Sequence, residues 1–289
     1  SSMEETPDLF LRQCEADLVD AANKPGKLTC PVMKFNADAG RENLKLLGDL
    51  RDSLEQGHMH LHFQPIMDIR SWIISGAEAL IRWEHPKLGS IPPGRFIPSV
   101  EKSTLIDVLT DWLIDNVLSQ LAEWHIQGLD IPLAVNVSTR NLLNPDFAEK
   151  ILNHLERHKV NARYLEIEIT ERIMMFDFVN TIRKLDILSG KGIRISIDDF
   201  GTGFSSLGYL SRIPADKIKI DQSFIMKVAT DEKTKDIVET EIQLAHNLGK
   251  LVVAEGVESR ETLDILEYLD CDEVQGFFIS HPLPAAEFF

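Results

Sequence analysis

At 289 residues with 44% hydrophobic side chains, the chain carries enough apolar material for a sizeable core. That length matches one barrel of about 250 residues plus an extra segment. Its 46 acidic residues against 30 basic ones give a formal net charge of -16, which argues against a broad electrostatic grip on long nucleic acid and suits the holding of cations. Cys14, Cys30 and Cys271 form neither a CxxC pair nor an even set, so neither a disulfide framework nor a structural zinc site is expected, and a reducing, cytoplasmic setting is. No run reaches the roughly 18 to 20 apolar residues of a membrane span and no secretory leader is recognised, so a fragment without membrane insertion is expected, from a parent that could itself be tethered.

Residues 1–57 differ in character from the rest and are expected to form a helical leader or linker. A helix is predicted over 10–22, ending in the turn Asn23-Lys24-Pro25-Gly26, and a second over about 40–56. From 58 to 289, short β-rich runs alternate with amphipathic stretches, the pattern of repeated βα units. Eight runs are predicted, at 60–67, 74–83, 133–137, 165–169, 194–198, 217–221, 251–255 and 273–278. Helical spacing covers 96–124, 147–158, 178–188, 234–248 and 262–268, with Gly192 and Gly249 where helices should stop. Only about residues 68–72 separate the first two runs, too few for a helical crossover, so these two should pair antiparallel as a hairpin. The expected fold is α/β: a TIM-like (β/α)₈ barrel with an antiparallel first strand, behind an N-terminal helical leader.

Polar residues cluster where such a barrel does chemistry. Glu78, Asn136, Glu168, Asp198, Asp199, Lys219, Glu255 and Gln275 fall at or near the carboxyl ends of predicted strands. Residues two apart share a strand face, so Glu78, Leu80 and Arg82 point one way, as do Glu166, Glu168 and Thr170; Ala79, Ile81, Leu165, Ile167 and Ile169 face the helices. So many inward carboxylates repel one another unless cations neutralise them. The donors are carboxylates and an amide, without His or Cys, which selects hard ions, Mg²⁺ or Mn²⁺. Adjacent Asp198 and Asp199 can serve neighbouring ions, and two ions about 3.5 to 4 Å apart suit in-line phosphoryl displacement by water. The stretch from Asp198 to Leu207, with Gly201 and Gly203, reads as a glycine-bearing loop at this site. One layer lower, buried Glu166 needs a partner, and Lys217 and Ser196 are the expected ones. His58, His60 and His62 alternate with the parity of Gln64; His60 and His62 are expected in the lower barrel as neutral, hydrogen-bonded imidazoles rather than metal ligands. Residue chemistry by itself reaches a metal-assisted phosphodiesterase.

The ordered motifs resemble the EAL phosphodiesterase family. They are Phe63-Gln64-Pro65-Ile66, Glu78-Ala79-Leu80-Ile81-Arg82-Trp83, Asn136-Val137-Ser138, Glu168-Ile169-Thr170-Glu171, the Asp198 to Leu207 loop, Lys219-Ile220-Asp221, Glu255-Gly256-Val257-Glu258 and Gln275-Gly276-Phe277. The resemblance covers about residues 50–289. It implies that Glu78, Asn136, Glu168 and Asp198 bind one metal, with Asp198, Asp199 and Glu255 around the second. It implies that Lys219 contacts the attacking water or phosphate, that Arg82 pairs with a phosphate oxygen, and that Gln64, Glu258 and Gln275 help hold the ligand. Glu171 is implied to brace the loop after Asp199, and Glu255 to be a proton acceptor as well as a ligand. The implied reaction is hydrolysis of cyclic di-GMP to linear pGpG, in a homodimer. A silent cyclic di-GMP receptor and a docking domain are the alternative functions. The leader resembles the end of a diguanylate cyclase (GGDEF) domain, without the cyclase signature. Phe277, where the family usually has Tyr, and His281, where Arg or Lys is commoner, are departures that remove no metal ligand.

Overall fold

The computed structural model describes residues 37–171, 177–203 and 207–288. The chain divides into two compact units, Ser1–Leu44 and Lys45–Phe289. The helix expected over 10–22, and with it the cyclase-like stretch, lies outside the described residues. The second leader helix is present as Ala37–Glu55, close to its expected span.

In the second unit, β1 (Met59–Asp68) and β2 (Ile73–His85) form the expected antiparallel hairpin, with Gln64 opposite Glu78 and His60 opposite Arg82. The short β3 (Gly89–Ile91) extends β2 on the outside. From β2 the sheet continues in parallel through β4 (Leu133–Val137), β5 (Leu165–Thr170), β6 (Arg194–Phe200), β7 (Lys217–Ile220), β8 (Leu251–Ala254) and β9 (Glu273–Val274). β9 then pairs antiparallel with β1, closing an eight-strand ring in which β1 alone runs against its neighbours. β10 (Leu283–Pro284) adds to β1 from outside. A closed ring leaves no bare strand edge, the general reason such a sheet curls on itself.

Alternation sorts the side chains as expected. Val135, Ile167, Ile197, Ile218 and Val252 pack outward against Leu113, Val117, Leu188 and Val238 of the surrounding helices. A smaller core forms where Leu46 and Leu50 of helix Ala37–Glu55 meet Trp83, Phe96 and Leu109, with the Trp83 and Phe96 rings edge to face at 5.1 Å. Fully burying such a side chain is worth about 1.5–3 kcal/mol, so this cluster anchors the upper end of β2 and the helix together.

Several expectations are corrected. The helix expected over 96–124 is two helices, Pro93–Val100 and Leu105–Ile126. Between them the Ser103 hydroxyl donates to the Val100 carbonyl (2.9 Å) and accepts from the Leu105 amide (3.2 Å), a local alternative to the helical ladder. The last strand stops at Val274, because the Gln275 carbonyl turns to accept from the Val257 amide at 3.0 Å. Gly276 then passes so close to Val257 that a Cβ would stand 2.2 Å from its carbonyl oxygen. His60 and His62 lie toward the mouth and not in the lower barrel, since β1 runs antiparallel and its residues before Gln64 climb alongside Leu80 and Arg82. His62 Nδ1 lies 3.2 Å from the Pro282 carbonyl, and burial holds its ring below its ordinary pKa. In the lower layer Lys217 pairs with Glu166 (3.4 Å) as expected, and also with Glu273 (2.7 Å), which was not. The Ser196 hydroxyl is buried without a hydrogen-bond partner among the described residues, so it is not a partner of Glu166. No described helix is long and apolar enough to cross a membrane.

Candidate active site

The candidate side chains come together at the barrel mouth: Glu78 and Arg82 from β2, where Glu78 lies mid-strand and not at the end expected, Asn136, Glu168, Asp198 and Lys219 from β4, β5, β6 and β7, Glu255 just past β8 and Gln275 just past β9. Lys219 stands at their centre, 1% exposed, with Nζ 2.6 Å from Glu255, 2.9 Å from Glu168, 3.4 Å from Glu78 and 3.8 Å from Asp198. Glu78 accepts from Asn136 Nδ2 (2.6 Å) and Gln275 Nε2 (2.7 Å). Gln275 Nε2 also donates to Gln64 Oε1 (3.1 Å), and Gln64 Nε2 in turn donates to the Ser280 carbonyl (3.2 Å). An amide chain thus ties the last segment of the barrel to the first hairpin, and a one-residue slip of β1 would turn Gln64 outward and break it.

One ammonium faces four carboxylates. Burial disfavours the Lys219 charge, yet Asp198, Glu168, Glu255 and Glu78 outweigh it and hold its pKa well above the usual value. Burial raises Glu168 well above its ordinary range, and neighbouring Glu78 adds to the rise. Glu255 is pushed up to about 8, by burial first, against the pull of Lys219. For Glu78 burial also acts upward, but Lys219 and the amides of Gln275 and Asn136 prevail and lower it. Glu168 Oε2 is buried with no hydrogen-bond donor among the described residues. Uncompensated buried oxygens, all of hard-donor type, fit divalent cations such as Mg²⁺ or Mn²⁺. The carboxylates are spread around the ammonium: no three of them bring an oxygen each within 4.8 Å of one another.

Asp199 stands at the rim, exposed, with φ 56, where β6 loses register against β7 between Ile197 and Phe200. Its amide donates to Asp198 Oδ1 at 2.9 Å. Glu171 is away from the ring and beneath the following loop, buried, accepting from the Gly201 amide at 3.3 Å. Glu241, on helix Glu232–Asn247, reaches the same loop from the other side: a Cβ on Gly201 would lie 2.4 Å from its Oε1. Burial, then repulsion from Glu171, raises the Glu241 carboxyl to about 7, and its Oε2 has no partner among the described residues. Nothing in the sequence marks Glu241, because a Glu on an amphipathic helix reads as solvated surface.

Two cavities flank the ring and share Leu80 and Asp198. One, of about 350 Å³, is lined by Gln64, Arg82, Glu258, Phe277 and also Gln222, which sequence reading missed because it sits one residue past a motif. Arg82 is half-buried and donates to the Ile81 carbonyl, and Glu258 is exposed. Phe277 and His281, the two departures, lie against one another, their ring centroids 4.1 Å apart and their planes tilted by 32°. The other cavity, of about 600 Å³, is more apolar, with Ile97, Leu109 and Leu113 opposite Asn136, Asp198 and Asp199.

Comparison with known proteins agrees with this architecture. The family model described as the EAL domain matches residues 47–282. The bifunctional diguanylate cyclase/cyclic di-GMP phosphodiesterase MucR of Pseudomonas aeruginosa is 40% identical over 254 residues, 88% of this chain and 37% of that protein. The cyclic di-GMP phosphodiesterase NbdA of the same organism is 38% identical over 246 residues, 85% of this chain and 31% of that protein. A solved structure described as the PaMucR phosphodiesterase in complex with c-di-GMP matches with a TM-score of 0.82 at 39% identity, covering 85% of this chain and 100% of that one. The chain spans about a third of the length of the curated relatives it matches. With the barrel, its reversed first strand and the family match over most of its length in agreement, this chain belongs to the EAL domain family.

Proposed function

We propose that this chain is a metal-dependent phosphodiesterase that hydrolyses one phosphodiester bond of cyclic di-GMP to give linear pGpG. The observation that carries this reading is the ring of four carboxylates and two amides around Lys219, set between two cavities at the barrel mouth. The cyclic dinucleotide itself is taken from the relatives' activities.

Glu78, Asn136, Glu168 and Asp198 would hold one Mg²⁺ or Mn²⁺ ion, and Asp198, Asp199 and Glu255 a second. Such ions, when bound, lower the pKa of water and neutralise phosphate charge. Lys219 keeps its proton, so it presents a fixed cationic donor to the phosphate or the attacking water. Glu255, held 2.6 Å from Lys219 at the barrel mouth, is the carboxylate placed to take a proton from that water as well as to hold the second ion. Arg82 pairs with a phosphate oxygen, while Gln64, Gln275 and Glu258 orient the nucleotide from the smaller cavity. Glu171 acts through the loop backbone, fixing where Asp199 stands. Homodimerisation, a cytoplasmic location and a linking role for the 1–57 leader belong to the same proposal.

The test is product analysis after incubating cyclic di-GMP with the protein and Mn²⁺ or Mg²⁺, beside Glu78→Ala and an EDTA control. Metal-dependent pGpG that vanishes in the variant is the expected result. Tight, saturable binding without product would replace the enzyme with a receptor.

A further inference from the structure

A second group of metal-binding side chains gathers on the outer wall of the barrel. Asp115 lies on helix Leu105–Ile126, facing His154 and His158 on helix Phe147–His158. The two histidines are four residues apart and so share one helix face. One ligand atom from each of the three residues lies within 4.8 Å of the other two, and among the described residues no other group of His, Cys, Asp and Glu converges in this way. Asp115 Oδ1 is 2.6 Å from His158 Nε2 and 3.6 Å from His154 Nδ1. The imidazoles are mostly buried and Asp115 is 44% exposed, so the cluster is held by packing yet open to solvent on one side.

Arg157 shows what the cluster offers. Its guanidinium bonds Asp115 Oδ1 and lies 2.7 Å from His154 Nδ1. A guanidinium can only donate, so His154 turns the Nδ1 lone pair, not a proton, into the cluster. Arg157 is itself 58% exposed and, with Asp111, Lys150, Asn153 and His154, lines an outer cavity of about 330 Å³.

We propose that Asp115, His154 and His158 form a transition-metal site, selective for ions such as Zn²⁺ or Cu²⁺, in which Arg157 is the resident cation when metal is absent. The 3.6 Å between Asp115 and His154 is close to the separation of two ligands each about 2.0–2.1 Å from one tetrahedral ion. His158 needs only the tautomer with Nε2 unprotonated, and a small rotation away from Asp115. Imidazole donors prefer Zn²⁺ and Cu²⁺, whereas the all-oxygen ring at the mouth prefers Mg²⁺ or Mn²⁺, so the two sites sort ions by donor type. A bound ion here joins two neighbouring helices, Leu105–Ile126 and Phe147–His158.

The experiment is Cu²⁺ titration of the metal-free chain followed by electron paramagnetic resonance, with Zn²⁺ affinity and thermal melting measured alongside. The expected result is a spectrum with two imidazole nitrogens and a Zn²⁺-dependent rise in Tm. Both should be lost in His154→Ala and His158→Ala, with Zn²⁺ affinity weakened by at least about 100-fold. Arg157→Ala should tighten binding, since it removes the competing charge. Nitrogen ligation and Zn²⁺ affinity that persist unchanged in both histidine variants overturn the site, as does an Arg157→Ala variant that binds no tighter. Asp115→Asn, which keeps the side-chain shape, serves if a histidine variant does not fold. Because the readout is imidazole ligation, its failure leaves the phosphodiesterase reading untouched.

Discussion

Replacing Lys219 with Met removes the one ammonium at the centre of the acidic ring while keeping most of its volume. Nζ lies within 3.8 Å of Glu255, Glu168, Glu78 and Asp198, and the side chain is 1% exposed. Breaking a buried ion pair from one side costs about 3–5 kcal/mol, because the partners are left as unpaired buried charges. The slight solvent access of Glu255 and Asp198, 17% and 13%, and the freedom of Glu168 to take up a proton, place the expected loss near the lower end, about 3 kcal/mol. For a domain of this size 1 kcal/mol shifts Tm by about 2–4 °C, so the variant should melt about 6–12 °C below the wild type in EDTA. Added Mn²⁺ should raise the Tm of Lys219→Met more than that of the wild type, because the cation then supplies the missing positive charge. Differential scanning fluorimetry in EDTA and in Mn²⁺ reads both effects. A variant melting within about 2 °C of the wild type in EDTA, with no larger response to Mn²⁺, refutes the electrostatic account of the ring.

Gly201→Ala places a Cβ 2.4 Å from Glu241 Oε1 and 3.0 Å from Phe224 at a φ of 91, so it should cost about 1–3 kcal/mol and lower kcat by displacing the loop. Adding Glu241→Ala should restore part of kcat, since the harder clash goes while the Phe224 contact and the backbone strain stay; a double variant no better than the single one contradicts this. Glu241 has its folded pKa raised from 4.5 to about 7, so the native state holds the extra proton and wild-type stability falls as pH rises from about 4.5 through 7. Glu241→Gln removes that dependence, and discounting for partial exposure it should gain about 1–2 kcal/mol over the wild type above pH 7. A Tm difference between the two that does not vary with pH would count against it. Phe277→Ala removes a ring that lies tilted against His281 and lines the smaller cavity, so KM for cyclic di-GMP should rise about 3–10-fold with kcat retained. Steady-state kinetics showing a loss in kcat instead would place Phe277 in the chemical step.

Much of the architecture was legible in the residues themselves. Period-two alternation and short apolar runs located the eight strands of the ring, and the short gap between the first two runs permitted only a hairpin. The same alternation placed Glu78, Glu168 and Lys219 on the interior face; Glu168 and Lys219 lie near strand ends as read, whereas Glu78 lies mid-strand because β2 runs on to His85. Local rules also paired Glu166 with Lys217, since both lie two residues below members of the ring. What needed tertiary structure was depth and approach across the fold. Parity says which face His60 and His62 occupy, but the reversed direction of β1 lifts them to the mouth. Glu273 joins Lys217, and Glu241 comes to lie under Gly201, through contacts between segments that local spacing does not relate. The physical reason is that side-chain direction is set by a residue's own backbone, whereas its neighbour across the barrel is set by how all the strands stagger as the sheet closes.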